Sequence, residues 1–239
     1  MENTIVNDIK KIIDESIDLV QINGETYSNR DLRLVRHTDS AEKIVFSDLS
    51  SIVSMIKQEK GNFNLPLYIN IESATCVSVF SSMDKHKDRE EPYSAMYRNS
   101  KFSFGREYNY EDFVIALRSQ FVQNEDTSEL LTLLKKITNN NTVETEDDGI
   151  TQKITAQQGA TLNNVVKSAP IRELSPFRTF NEVEQPTSEF LFRVKDGGRF
   201  VLYEADGGAW ELKAKKNIST FFTEELAEEI AEGKVILVG

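Results

Sequence analysis

Between Ser188 and Lys215 the chain alternates apolar and polar positions with a period of two, the period of a strand with two different faces. Phe190, Phe192 and Val194 fall on one side and Leu191 and Arg193 on the other. Phe200 and Leu202 then oppose Val201 and Tyr203, and Trp210, Leu212 and Ala214 share a third parity. Two Gly-Gly pairs, Gly197-Gly198 and Gly207-Gly208, each follow an aspartate and interrupt the alternation. Tight turns between twisted strands need positive φ, which Gly supplies at no steric cost. The pattern predicts a three-stranded antiparallel meander with the only tryptophan, Trp210, as a core residue.

Elsewhere the period changes to that of a helix. Ile5, Ile9, Ile12 or Ile13, Ile17 and Val20 predict an amphipathic helix over about residues 3–18. Short strands are expected at Leu19–Ile22, Leu32–Arg36 and Lys43–Phe46, with Asn23-Gly24 as a turn. Ser47 is placed to cap a helix carrying Leu49, Ile52, Val53 and Ile56. Residues 65–82 read as a second hairpin turning near Ser73-Ala74, and a strand is expected near Lys101–Phe104. Asn109 caps a helix with Phe113, Leu117 and Phe121. Asp126 and Glu129 have the spacing of a capping box before Leu130, Leu133, Leu134 and Ile137. Beyond Asn139 the signals are mainly those of strands: Thr142–Glu146, Ile150–Thr155 and Ile171–Phe180. The segment Thr161–Lys167 stays open between helix and strand. A last helix on Phe222, Leu226 and Ile230 precedes a strand at Val235–Val238. The fold expected is α+β: a mixed half over 1–139, then a mostly antiparallel β half over 140–239 with a C-terminal helix. No linker composition separates the halves, so they are expected to pack as one unit.

Composition narrows the chemistry. With 239 residues, 39% hydrophobic, the chain is long enough for a sizeable core. Its net charge of -11 argues against a duplex-DNA binder working through a broad basic face. The opening residues are too broken by charge for a signal peptide or membrane span. A single cysteine, Cys76, rules out an internal disulfide. His37 and His86 stand apart, and no metal-ligand spacing, nucleophile motif or phosphate-binding loop occurs. Asp147-Asp148 with Glu144 and Glu146 reads as a polar turn rather than a cation site. No cofactor or metal is expected, and a hydrolase is the least favoured class. The glutamates at 224, 225, 228, 229 and 232 read as a solvated face, with a basic protein partner as the alternative. Arg172 and Arg178 share strand parity, and Arg193 lies on the neighbouring strand of the meander. Together they form the candidate ligand site, a clamp for a phosphate or carboxylate. The competing reading pairs them with acids on a wet sheet face.

Several segments, taken in order, resemble the YfdQ-like proteins, a phage and prophage family of unknown function. They are FSDLSSIVSMIKQEK with LPLYINIESATCVSVF, then FSFGREYNYEDFVIALRSQF, TSELLTLLKKITNNNTVETEDDGITQKIT and SPFRTFNEVEQP with the meander. The likeness runs from Ser47 to Leu212; the stretch from Tyr97 to Asn109 is shorter than the family's, which carries a tryptophan there. The resemblance implies a phage or prophage origin and life in the bacterial cytoplasm, and supplies no active-site residues. The expected function is therefore a non-enzymatic accessory protein acting by self-assembly and binding, a homo-oligomer with no membrane or duplex-DNA partner. The alternative is a small-anion or nucleotide-signal binder that antagonises host defence.

Overall fold

The computed structural model describes residues 19–28, 34–35, 42–98, 102–138, 142–147, 152–158, 161–168, 171–195 and 197–239. The helix expected over 3–18, His37, and the Asp148 end of the acidic turn lie outside them. Contacts group the chain as Met1–Ala41 and Glu42–Gly239. In the first unit, β1 (Leu19–Ile22) and β2 (Glu25–Ser28) form an antiparallel hairpin, and β3 (Leu34–Val35) pairs with β2. Asn23 and Gly24 make the turn, both at positive φ as such a turn requires.

The second unit is α+β, and two of its sheets carry a core each. The larger has the order β14-β5-β6-β7-β4. Its centre is the expected hairpin, β5 (Leu67–Ser73) and β6 (Cys76–Phe80). It adds β7 (Tyr93–Met96), which the sequence reading missed, and β4 (Ile44–Phe46) parallel to it. The last strand, β14 (Val235–Val238), pairs parallel with β5. The chain thus returns across more than 160 residues to complete a sheet begun by its first half. One side of this sheet offers Leu67, Ile69, Val77, Val79 and Val235 to α1 (Leu49–Glu59) and α4 (Ala209–Glu225).

The smaller sheet, β11-β12-β13, holds Ile171–Leu174, Ser188–Lys195 and Arg199–Glu204. A meander is present, but its third member precedes β12 instead of following β13. Trp210, Leu212 and Ala214 belong to α4, and Leu212 is 75% exposed. The helical spacing Trp210, Ala214, Ile218, Phe222 extends further than the local alternation, and the last three are fully buried. Asp206 stabilises the helix start by accepting from the backbone N–H of Gly208 and of Trp210, each at 3.2 Å. The second core sits between this sheet, α2 (Tyr110–Gln120) and α3 (Glu125–Thr138), where Phe113 stacks on Phe200 and packs against Phe192.

Asn109 caps α2 through its Oδ1 at 2.8 Å from Asp112 N, as expected. The cap of α3 is Asn124, bonded to Thr127 N, two residues before the expected Asp126. Asp48 with Glu182, not Ser47, satisfies the start of α1. The stretch near Lys101–Phe104 is no strand where it is described. A third sheet, β10-β9-β8, is formed by Thr142–Asp147, Gln152–Gln158 and Thr161–Ser168, so the undecided segment is a strand. An α5 (Ala227–Ala231) follows α4 after Leu226, and Gly233 at positive φ turns the chain into β14. Among the described residues no helix is long and apolar enough to cross a membrane.

Candidate functional site

The three arginines do not converge. Arg172 stands opposite Phe190 in the β11–β12 register, on the side of the sheet that faces the second core. Arg193 stands opposite Val201 and takes the other side with Leu191. Arg178 lies beyond β11, in the irregular segment 175–187, where strand parity no longer applies. Each has an anchor on the protein itself. Arg172 pairs with Glu129 of α3 at 3.3 Å, while Arg193 is buried and donates to the Phe192 carbonyl at 3.4 Å.

Arg178 is the most enclosed of the three at 3% exposure. One terminal nitrogen donates to Glu204 Oε1 at 2.8 Å and the other to Ser188 Oγ at 2.5 Å. Its guanidinium lies 4.1 Å from the Trp210 ring centre and 5.3 Å from that of Phe190. Burial lowers its pKa, an effect opposed by Glu204, Asp206 and Glu211. Nε has no hydrogen-bond partner. An arginine held from both ends and stacked under an indole is a structural tie, because reaching an external anion would mean giving up the ion pair and the stack.

The tie belongs to a seam between the two cores. Pro176 bridges to Phe121, and Phe177 N donates to the Gln120 carbonyl at 2.9 Å. A few residues on, Thr179 Oγ1 donates to the Ala74 carbonyl at 2.5 Å, and Phe180 enters the first core. Gln185 folds the segment back by accepting from Arg178 N at 3.0 Å and donating to the Phe180 carbonyl at 2.9 Å. Near it, Glu182, Glu184, Asn217, Thr220, Phe221 and Glu224 line an open groove of about 200 Å³. Glu182 already accepts from Leu49 N at 2.6 Å, so part of that acidity serves α1.

The outer side of the large sheet exposes apolar residues only toward its two edges. Register places Ile236 beside Tyr68 and Phe80 in one row, and Val238, Asn70, Ser78, Ser94 and Val45 in the next. Cys76 and Met96 stand beyond them. The helices of the first core pack on the opposite side, and Val45, Met96, Ile236 and Val238 are all exposed. An antiparallel sheet with one side in water normally alternates apolar inward and polar outward. Here the centre follows that rule: Asn70, Ser78 and Ser94 fill the middle row, and Ser78 and Ser94 are only 1% and 5% exposed. The Arg89 guanidinium lies 4.8 Å from the Tyr68 ring centre, and Glu72 accepts from Ser78 Oγ at 2.5 Å and from Cys76 Sγ at 3.4 Å. The exposed apolar residues stand at the two ends of the sheet, Ile236 and Val238 on β14 and Val45 with Met96 on β4 and β7. Burial and the Glu72 carboxylate push the Cys76 thiol pKa up, which disfavours the reactive thiolate. The sequence signal for this surface was the unbroken run Val235-Ile236-Leu237-Val238, apolar at both parities.

Among the described residues no group of three or more His, Cys, Asp or Glu is placed to hold a metal ion. No family model matches the chain, and no curated protein or solved structure is significantly similar to it.

Proposed function

We propose that this chain is a phage- or prophage-encoded accessory protein of the bacterial cytoplasm that works by associating with a second copy of itself, and not by catalysis. The observation that carries the reading is the outer edge of the five-stranded sheet, where β14 has one side unpaired in the ladder and Ile236 and Val238 are exposed. An edge strand with unpaired backbone groups is a template for pairing with another chain. The phage origin is supported by the segment order shared with the YfdQ-like proteins. The alternative, an anion or nucleotide-signal binder, has less support, since Arg178 is neutralised by Glu204 and Arg172 and Arg193 take opposite sides of their sheet.

Magnitude bears on what kind of association to expect. At about 3.3 Å per residue, the four-residue β14 is only about 13 Å long. Stable complexes bury about 800 Å² on each partner. The edge alone therefore supports only weak association. Sedimentation of the full chain from about 1 to about 100 µM, around the range where such contacts dissociate, tests this. A mass rising above 27.2 kDa is expected; a constant monomer mass overturns the reading.

A further inference from the structure

Resting on that reading, we infer that the second copy joins at the free edge of β14, running antiparallel across a two-fold axis at Val238. Leu67 N donates to the Lys234 carbonyl at 2.9 Å, and Val235 is in register with Leu67. In a parallel ladder alternate residues address the same neighbour. Ile236 and Val238 thus spend their backbone groups on β5, while Val235 and Leu237 point theirs outward. Val235 is 1% exposed and closed to a partner; Leu237 is only partly buried. Gly239 follows, still lying against the backbone of Ile71.

Edge strands in monomers are normally guarded by charge, proline or a bulge. Nothing in Val235–Val238 supplies such a guard, and the preceding Lys234 pairs with Glu232 at 2.5 Å. The other edge of the sheet is a poorer acceptor. Ile44 N donates to the Pro92 carbonyl at 2.9 Å, so of the three residues in β4 only Val45 faces outward. Pairing β14 with β4 of another copy would leave open chains of molecules, whereas β14 with β14 closes at two.

In the closed arrangement Leu237 exchanges backbone bonds with Gly239 of the second copy, and Val238 meets its own counterpart. That pair is not hydrogen-bonded, so the Cα atoms approach to about 4.5 Å. The two-fold axis of an antiparallel pair is perpendicular to the sheet. Both outer sides therefore face the same way in one ten-stranded sheet, with Ile236 and Val238 of each copy at its middle.

Two variants of the full chain test the edge. Val238→Cys in a Cys76→Ser background should oxidise in air to a disulfide-linked dimer, because the expected separation is within disulfide reach. Val45→Cys in the same background, at a position of similar exposure (47% against 45%), should not. Leu237→Pro removes an N–H that β5 does not use, so it should shift the protein to monomer while leaving the melting transition cooperative. If Val238→Cys cross-links no faster than Val45→Cys, and Leu237→Pro still dimerises, the edge inference is overturned. Should Val45→Lys with Met96→Lys then abolish the dimer, self-association survives through the face alone. A parent that is monomeric throughout overturns both.

Discussion

Arg178, Glu204 and Trp210 act on one another, and the effect of changing each follows from its exposure. The Glu204 side chain is 42% exposed, so its Coulomb attraction to Arg178 is partly screened. Glu204→Gln should cost about 1–2 kcal/mol, less than the 3–5 kcal/mol of breaking a fully buried pair. Trp210 is half-buried and not a core residue. Trp210→Ala should therefore cost about 1–3 kcal/mol, from the lost stack and some uncovered area; urea titration separates these values from the 3–5 kcal/mol of a core tryptophan. Tyr93 gives a pH-dependent case. It is 2% exposed, and burial together with its hydrogen bond to Glu59 at 2.5 Å pushes its pKa well up. The folded state keeps this proton after the unfolded chain loses it near pH 10. Stability from Tyr93 is present below that pH and falls above it, by at most about 1.4 kcal/mol per pH unit. Tyr93→Phe should flatten that part of the decline in melts run from pH 9 to 11. The sequence singled out Arg178, but its environment was illegible: Ser188 is ten residues away and Glu204 twenty-six.

At the scale of elements, what was legible depended on whether the deciding interaction was local. The hairpin at β5–β6, the Asn109 cap and the buried face of α3 rest on neighbours in sequence and formed as expected. The start of α1 did not, because Glu182 reaches its first N–H groups from 133 residues away. Asp48 accepts from Ser51 N at 2.8 Å, so Asp48→Ala should destabilise by about 1 kcal/mol. Ser47→Ala should stay within about 0.5 kcal/mol of the parent, as surface changes do; thermal melts of the pair decide which residue caps the helix. The misreading of α4 has a different cause. Trp210 and Ala214 satisfy both periods, Leu212 fits only the strand and is exposed in the helix, and the continuation through Ile218 and Phe222 decides for the helix. Gly207-Gly208 misled for the same reason, since positive φ serves a helix entry as well as a hairpin.

For the whole molecule, the decisive feature is the return of β14 to pair with β5 across more than 160 residues. Composition and periodicity revealed an apolar last strand but not its neighbour, and therefore not which of its backbone groups remain free. Those free groups, beside the exposed Ile236 and Val238, are why association of two copies is the central claim. The amide of Leu237 reports on it most directly. It points away from β5 and has no backbone partner among the described residues, while its neighbours Ile236 and Val238 are held by the ladder. Residue-resolved hydrogen exchange at about 1 and about 100 µM, below and within the range of weak association, distinguishes the cases. Leu237 is expected to exchange freely in the dilute sample and to become protected in the concentrated one, with Ile236 and Val238 slow in both. Free exchange of Leu237 at both concentrations would contradict the edge-paired dimer.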